Sequence, residues 1–517
     1  MTSSIQPFNE KDLQQFRQQA ISLDKISAQI ELITKGFPPI DLIRPATVND
    51  GIRFIPQEAH SQFINLFEEY QKTGKVAKFV PASGAATRMF QSLIKFCSED
   101  ALKDEKSTSE VSEFMERIRD FAFFEDLRKV MAQGGQDIEI LLRQKEYKTI
   151  LSYLLTEKGL NYSQLPKGLI KFHYYSDHAR TAFEEHLVES ALYQKDRLGH
   201  VRIHFTLPET QQRFIQEYLR REIPRYQKIG TVFDIMYSPQ RSATDTIALD
   251  MENRPFRTKD DRILFRPAGH GVLLDNLSQV QADLIFIKNI DNISHEHLHP
   301  KRAFSSKLLA GVLLTIQNKI FSYLKAMEWS HPDAKTLNEM KDFMQQELHI
   351  PVPENFLTQN KEAQREYILK QLNRPIRVCG MIKNQGDPGG GPFWVKDSHG
   401  NISLQIIESS QIDVSRAEQK EIAGRATHFN PVDMVCGVRN YRAQAFALHQ
   451  FVDPQTGFVS KKFHEGRELK ALELPGLWNG SMAYWISIFV EIPGDVFHPV
   501  KTVTDLLRPE HQPVSSK

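Results

Sequence analysis

Cysteine is scarce in this sequence: Cys97, Cys379 and Cys436 stand far apart among 517 residues. An odd, scattered set cannot build a disulfide framework and fits a reducing compartment. Cys379 and Cys436 sit in apolar strand-like runs, where buried structural thiols are expected. Long hydrophobic runs are also missing, since stretches such as LLAGVLLTI are too short to cross a bilayer. The opening MTSSIQPFNEKDL has no apolar signal core. Neither sign of charge is in excess: 65 Lys plus Arg face 64 Asp plus Glu, for a formal net charge of +1. That balance leaves no broad field for nucleic acid or an anionic membrane. The expectation is a cytoplasmic protein without nucleic-acid or membrane partners, in which any phosphate binding is local.

What is present is apolar residues in quantity, 40% of the chain, enough for several buried cores. Residues 1–74 read as a helical extension. Asn9 is placed to cap a helix through DLQQFRQQAISLDKISAQIELI, and HSQFINLFEEYQK is a second amphipathic helix. VAKFVP is the first buried strand. A charged, helix-rich stretch of about 98–160 reads as an insertion. From GLIKFHYY onward strands and helices alternate through VRIHFTL, TVFDIMYS and ADLIFIKNI, which predicts a largely parallel, doubly wound α/β sheet. Residues 301–372 are again helical, and the chain is β-rich from 374. The division expected is 1–74, an α/β domain over 75–430, and a C-terminal portion over 431–517.

In such sheets ligands bind beyond the carboxyl ends of strands. Three segments fall there. KFVPASGAATRMF passes from a strand through a loop of small residues (Ser83, Gly84, Ala85, Ala86) to Thr87, Arg88 and a helix start. Exposed backbone N–H groups in that setting attract anions. FRPAGHGVLLDNL holds Gly269, His270 and Gly271 before a helix, where backbone can approach a ligand closely. KNIDN closes the next strand with Asn289, Asp291 and Asn292.

These residues resemble the UDP-sugar pyrophosphorylases, the UDP-glucose and UDP-N-acetylhexosamine nucleotidyltransferases. That family carries a Pro-x-Gly-His-Gly segment, a helix, and a strand ending Asn-x-Asp-Asn. ASGAATRM lines up with its signature Ala-Gly-Gly-x-Gly-Thr-Arg-Met, with Ser83 and Ala86 replacing glycines, and Pro166-Lys167 meets the signature's Pro-Lys half after a longer gap. DVFHPVKTVTDLL resembles a further family segment and nominates Lys501. RPIRVCGMIKNQGDPGGGPFWVKDSHGNISLQIIESSQID and HFNPVDMVCGV follow in family order, with Gly391, Glu408, Asn430 and Asp433. The chain as a whole is also similar to a bacterial family defined by a domain of unknown function.

The resemblance implies a GT-A-like nucleotide-diphospho-sugar transferase fold and a reaction joining UTP and a sugar-1-phosphate into a UDP-sugar and pyrophosphate. It implies catalytic cations at Arg88, Lys167 and Lys501. Nucleotide contacts fall to Ser83 through Thr87, Gln240, Gly269, His270 and Asn289, with Gln240 reading uracil. Sugar contacts fall to Gly391, Glu408 and Asn430, and Mg²⁺ to Asp291 and Asp433. The chemistry suits these residue types: the attacking phosphate oxygen is already anionic, so alignment and charge neutralisation matter more than a base. Alternatives are a non-catalytic nucleotide-sugar sensor or scaffold, and a glycosyltransferase of similar fold, although the strand end shows NIDN and no Asp-x-Asp. SHEHLHP, with His295, His297 and His299, is expected as a solvated loop rather than a metal site. Asp387 and Gly389 to Gly391 are expected either to cradle phosphate or to form a mobile loop beside the sugar.

Overall fold

A computed structural model of the chain describes residues 8–97, 105–227, 230–240, 245–266, 268–384, 386, 389–398 and 400–514. Asp387 and the side chains of residues 105–108 and His270 lie outside that description. The chain divides into two compact units, one of residues 1–66, 240–285 and 309–492, the other of residues 67–239, 286–308 and 493–517.

In the first unit, the expected single N-terminal helix is two helices, Glu10–Gln18 and Leu23–Lys35. Ala20 in the left-handed region breaks the run, and Ser22 then caps the second helix by accepting from the Lys25 N–H. Asn9 and Asp12 form a reciprocal capping box at the first. Ile26 and Ile33 pack with Ile247, Leu249 and Leu472, so these helices cover an antiparallel sheet containing the strands Thr246–Leu249, Phe458–His464 and Arg467–Glu473. Residues 41–53 are a correction to the helical reading: they form the strands Asp41–Pro45, Thr47–Val48 and Gly51–Arg53. Pro45 and an Asn49 at φ 66° disfavour a helix there, and Asp41–Pro45 gains a ladder with Gly391–Lys396. A second ladder runs parallel from Ile376–Lys383 to Ile486–Glu491 and antiparallel from Ile376–Lys383 to Met434–Gly437. Cys379 and Cys436 are buried in these strands, as expected.

In the second unit, Val76–Pro81 runs parallel to His200–Pro208, with Val232–Gln240 beyond it. On the other flank, the Lys288 N–H donates to Phe79 O and the Ile290 N–H to Pro81 O. The site segments 82–88 and 288–292 therefore leave neighbouring strand ends, the position where α/β sheets place ligands. The helix Ala182–Tyr193 begins with a Thr181–Glu184 capping box and buries Phe183 and Leu187. The helices of the insertion bury Phe114, Phe123, Leu127 and Leu154 in the same core as Val80, Phe90 and Phe205.

Candidate functional site

The small-residue loop is zipped to the segment that carries Lys167. The Ala86 N–H donates to Leu165 O and the Lys167 N–H to Gly84 O, an antiparallel bridge between Ala85 and Pro166. Thr87 Oγ1 donates to Ser163 O at 3.1 Å. The two halves that the sequence separates by the insertion thus lie side by side. No residue from 82 to 88 takes a positive φ, so Ser83 and Ala86 suit the backbone as it stands. Ala86 to Arg88 form one 3-10 turn before the helix Gln91–Cys97. Gly84 and Ala85 are exposed, and among the described residues their amides have no protein acceptor. Ser83 is half-buried, and Ala86 is buried against the core.

Asp291 is the centre of the charge arrangement. Its Oδ2 accepts from Lys167 Nζ at 2.8 Å and from Lys501 Nζ at 3.1 Å. Lys167 and Asp291 side chains are each 12% exposed, while Lys501 is 49% exposed. Arg88 is exposed and, among the described residues, has no carboxylate partner. Burial alone would raise the Asp291 carboxyl, but the two ammoniums outweigh it and hold the group below its ordinary value. Lys167 does not shift the opposite way, as half of an isolated pair would. Burial lowers it, and Lys501 and Arg88 add repulsion against the attraction of Asp291. Two cations on one carboxylate, with Arg88 near enough to repel Lys167, leave a local excess of positive charge suited to a polyanion.

The turn that presents Asp291 is tied to the segment that presents Lys501. The Val500 N–H donates to Asp291 O, and Asn292 bridges to Pro499. Asn289 is half-buried and accepts the Asn292 N–H at its carbonyl. Among the described residues there is no group of three His, Cys, Asp or Glu side chains arranged to hold a metal. Mg²⁺ often takes only one or two carboxylates and fills its sphere with water and substrate phosphate oxygens. A single carboxylate such as Asp291 suffices for an ion of that kind.

The remaining expected residues belong to the first unit. Gln240 ends the strand Val232–Gln240. Gly269 has φ 80°, a conformation that residues with side chains rarely adopt, so the turn favours glycine. GHGV is a 3-10 turn leading into the helix Leu273–Ser278. Gly391 starts a strand paired with Ile407. Glu408 is half-buried, and burial raises its carboxyl above the ordinary value. Asn430 is buried and engaged at both ends, donating to Gly380 O and accepting from the Val432 N–H. That bond holds Val432 at φ 58°, a rare conformation for a β-branched residue. Asp433 is buried, and its carbonyl accepts the Gly380 N–H.

Two buried networks of the second unit escaped the sequence reading. Glu189 pairs with Lys78 at 2.7 Å, Lys288 at 2.6 Å and Arg302 at 2.9 Å, all deeply buried. The signal available was a lysine inside each apolar strand, VAKFVP and LIFIKN, since an unpaired lysine there would be costly. The second network corrects SHEHLHP: His295 and His299 are buried, because His295 stacks on Tyr175 and His299 begins the helix His299–Trp329. His173 Nδ1 lies 3.0 Å from Glu185 Oε1, and His173 Nε2 lies 2.8 Å from His511 Nδ1. Burial lowers His173 and raises Glu185, so each is pushed toward its neutral form.

Residues 9–512 match the family described as "Domain of unknown function (DUF4301)", and the chain belongs to that family. No curated protein matches the sequence. Among solved structures, the chain is similar to the uridine diphosphate N-acetylglucosamine pyrophosphorylase from Trypanosoma brucei. There the identity is 12% and the TM-score 0.47, over 97% of this chain and 79% of that one. It is also similar to the UDP-glucose pyrophosphorylase from Leishmania major, at 13% identity and TM-score 0.46 over 96% and 77%. At such scores the functional reading has to rest on the side chains. No helix among the described residues is long and apolar enough to cross a membrane.

Proposed function

We propose that this protein is a nucleotidyltransferase that joins UTP and a sugar-1-phosphate into a UDP-sugar and pyrophosphate. One arrangement carries the reading: Lys167 and Lys501 share one oxygen of Asp291, beside a loop with exposed amides and a cation, Arg88, without a carboxylate partner among the described residues. A sugar-phosphate oxygen attacks the α-phosphorus in line. The new P–O bond forms as the bond to the β,γ-pyrophosphate breaks, and the leaving oxygen takes the electron pair. No side chain has to remove a proton from the nucleophile. The three cations neutralise charge that builds on the phosphoryl oxygens, and the Gly84 and Ala85 amides orient the triphosphate. Asp291 would hold Mg²⁺, an ion that would supply further neutralisation of phosphate charge, and the resemblance nominates Asp433 as well. The same resemblance assigns the uracil to Gln240, Gly269 and His270 and the sugar to Gly391, Glu408 and Asn430.

The test is exchange of labelled pyrophosphate into UTP with Mg²⁺ and a panel of UDP-sugars. Sugar-dependent incorporation is expected with at least one member. A protein that binds UDP-sugar without exchange is the sensor or scaffold, and one that transfers sugar without using UTP is a glycosyltransferase.

A further inference from the structure

We infer that Arg302 is a positioning residue, which clamps the turn carrying Asp291 to the segment carrying Lys501 and is itself fixed by Glu189. The guanidinium is fully buried, and each of its three nitrogens has a separate task. Nη2 donates to Asn292 O, next in the chain to Asp291, and lies 3.4 Å from Asn292 Oδ1. Nη1 donates to Val496 O at 3.0 Å, in the segment that leads to Lys501. Nε donates to Glu189 Oε1 at 2.9 Å. Asn292 Oδ1 completes the clamp by accepting the His498 N–H at 3.3 Å.

Glu189 reaches further. The same carboxylate holds Lys78, in the strand that feeds the small-residue loop, and Lys288, in the strand end that feeds Asp291. Thus one buried anion fixes the bases of all three segments that carry Arg88, Asp291 and Lys501. A planar guanidinium spreads its donors over three nitrogens and so reaches acceptors on separate segments, whereas the three N–H groups of a lysine share one nitrogen. The consequence for turnover rests on the nucleotide reading above. The clamp itself does not.

Arg302→Lys keeps the charge and the Glu189 pair but loses a carbonyl contact. The Asn292 and Val496 segments should then be held less tightly. Exchange of the Asn292, His498 and Val500 amides, followed by mass spectrometry, should speed up by about five- to tenfold, the scale of losing one hydrogen bond, while the helix Glu10–Gln18 serves as the unaffected control. Unchanged exchange at these amides in a folded variant overturns the clamp. Mg²⁺–UTP added to the wild-type protein should protect Lys167 and Lys501 from acylation by an anhydride. If it protects neither, the nucleotide reading fails while the comparison of variants still decides the clamp. Should Arg302→Lys not fold, hydrogen exchange in the wild-type protein decides it. The Asn292, His498 and Val500 amides should open in one step, and independent opening of the two segments overturns the inference.

Discussion

Lys167 and Asp291 meet at 2.8 Å with both side chains 12% exposed, although the residues come from separate segments of the chain. The contact brings a cation beside the small-residue loop into register with the strand-end carboxylate. If these groups neutralise a triphosphate, Lys167→Ala or Arg88→Ala should lower pyrophosphate exchange by about 10²-fold or more, the scale for losing a preorganised charge-stabilising group. Arg88→Ala should leave the melting temperature unchanged, since that side chain is exposed. Near-normal turnover in both variants, with the correct sugar phosphate, removes the assignment.

Asp291→Asn separates two roles of one carboxylate. Without it, Lys167 keeps its burial and its repulsion from Lys501 and Arg88 but loses its attraction. Breaking a fully buried pair costs roughly 3–5 kcal/mol, and the half-exposed Lys501 places this site below that range. The variant should therefore melt earlier. Its Mg²⁺ requirement should rise, whereas Mg²⁺-free UTP should bind more tightly to the unopposed cations. A metal titration beside calorimetry with free UTP checks both signs. Weaker binding of free UTP would mean that Asp291 does not face the phosphates.

The sequence made the loop and the NIDN turn legible because both are short, contiguous patterns at strand ends. Pro166 and Lys167 could be tied to the loop through motif order despite the insertion between them. A lysine inside each of two apolar strands signalled a buried partner, but Glu189 could not be named as that partner, because only folding gathers these separate segments. The break at Ala20 was hidden because apolar spacing continues smoothly across it. His295 and His299 looked solvated because their burial depends on Tyr175 and on a long helix start, neither visible in SHEHLHP itself.

Alanine substitutions at two glycines should behave oppositely. A Cβ at Gly84 meets nothing within 4 Å, and the residue has no positive φ. Gly84→Ala should be neutral or stabilise by about 0.4–1 kcal/mol through the unfolded chain. A Cβ at Gly168 would lie 2.4 Å from the ring of fully buried Phe183. Gly168→Ala should cost roughly 1–3 kcal/mol by overpacking and displace the adjoining Lys167. Thermal melts beside exchange assays read both, with activity falling in the second variant alone.

If Gln240 reads uracil, its amide matches one carbonyl and the N3–H together. Thymine shares that edge, so UTP should be only modestly preferred over dTTP. CTP and GTP should bind about 10²-fold worse or more, the scale on which a site loses a buried polar partner. Gln240→Leu should erode that discrimination more than it slows turnover at saturating UTP. Calorimetry with the four ribonucleotides and dTTP tests it, and tighter binding of GTP or ATP than UTP would take the protein out of the UDP-sugar class.

The buried histidines make the second unit acid-labile. Burial lowers His173, His186 and His511 well below the ordinary value, with help from Arg302 at His173 and His511 and from Lys78 at His186. It takes His299 to about 4 and His498 to about 3. Unfolded, each binds a proton near pH 6.5; folded, each resists it. As pH falls below 6.5 the unfolded chain therefore gains protons first, and stability drops by up to about 1.4 kcal/mol per pH unit for each such group. Glu185 and Glu408 work the other way, since a raised carboxyl gains stability as pH falls toward 4.5, but His204, lowered to about 4, and His295 add to the five histidines. Lys78, lowered to about 8, changes stability only at higher pH, and the lowered Asp291 and Glu189 only below about pH 4. The window from pH 6.5 to 4.5 therefore reports the histidines. Melting temperatures measured from pH 7.5 to 4 should fall steeply inside it, and a flat curve there would show that these side chains are not buried neutral.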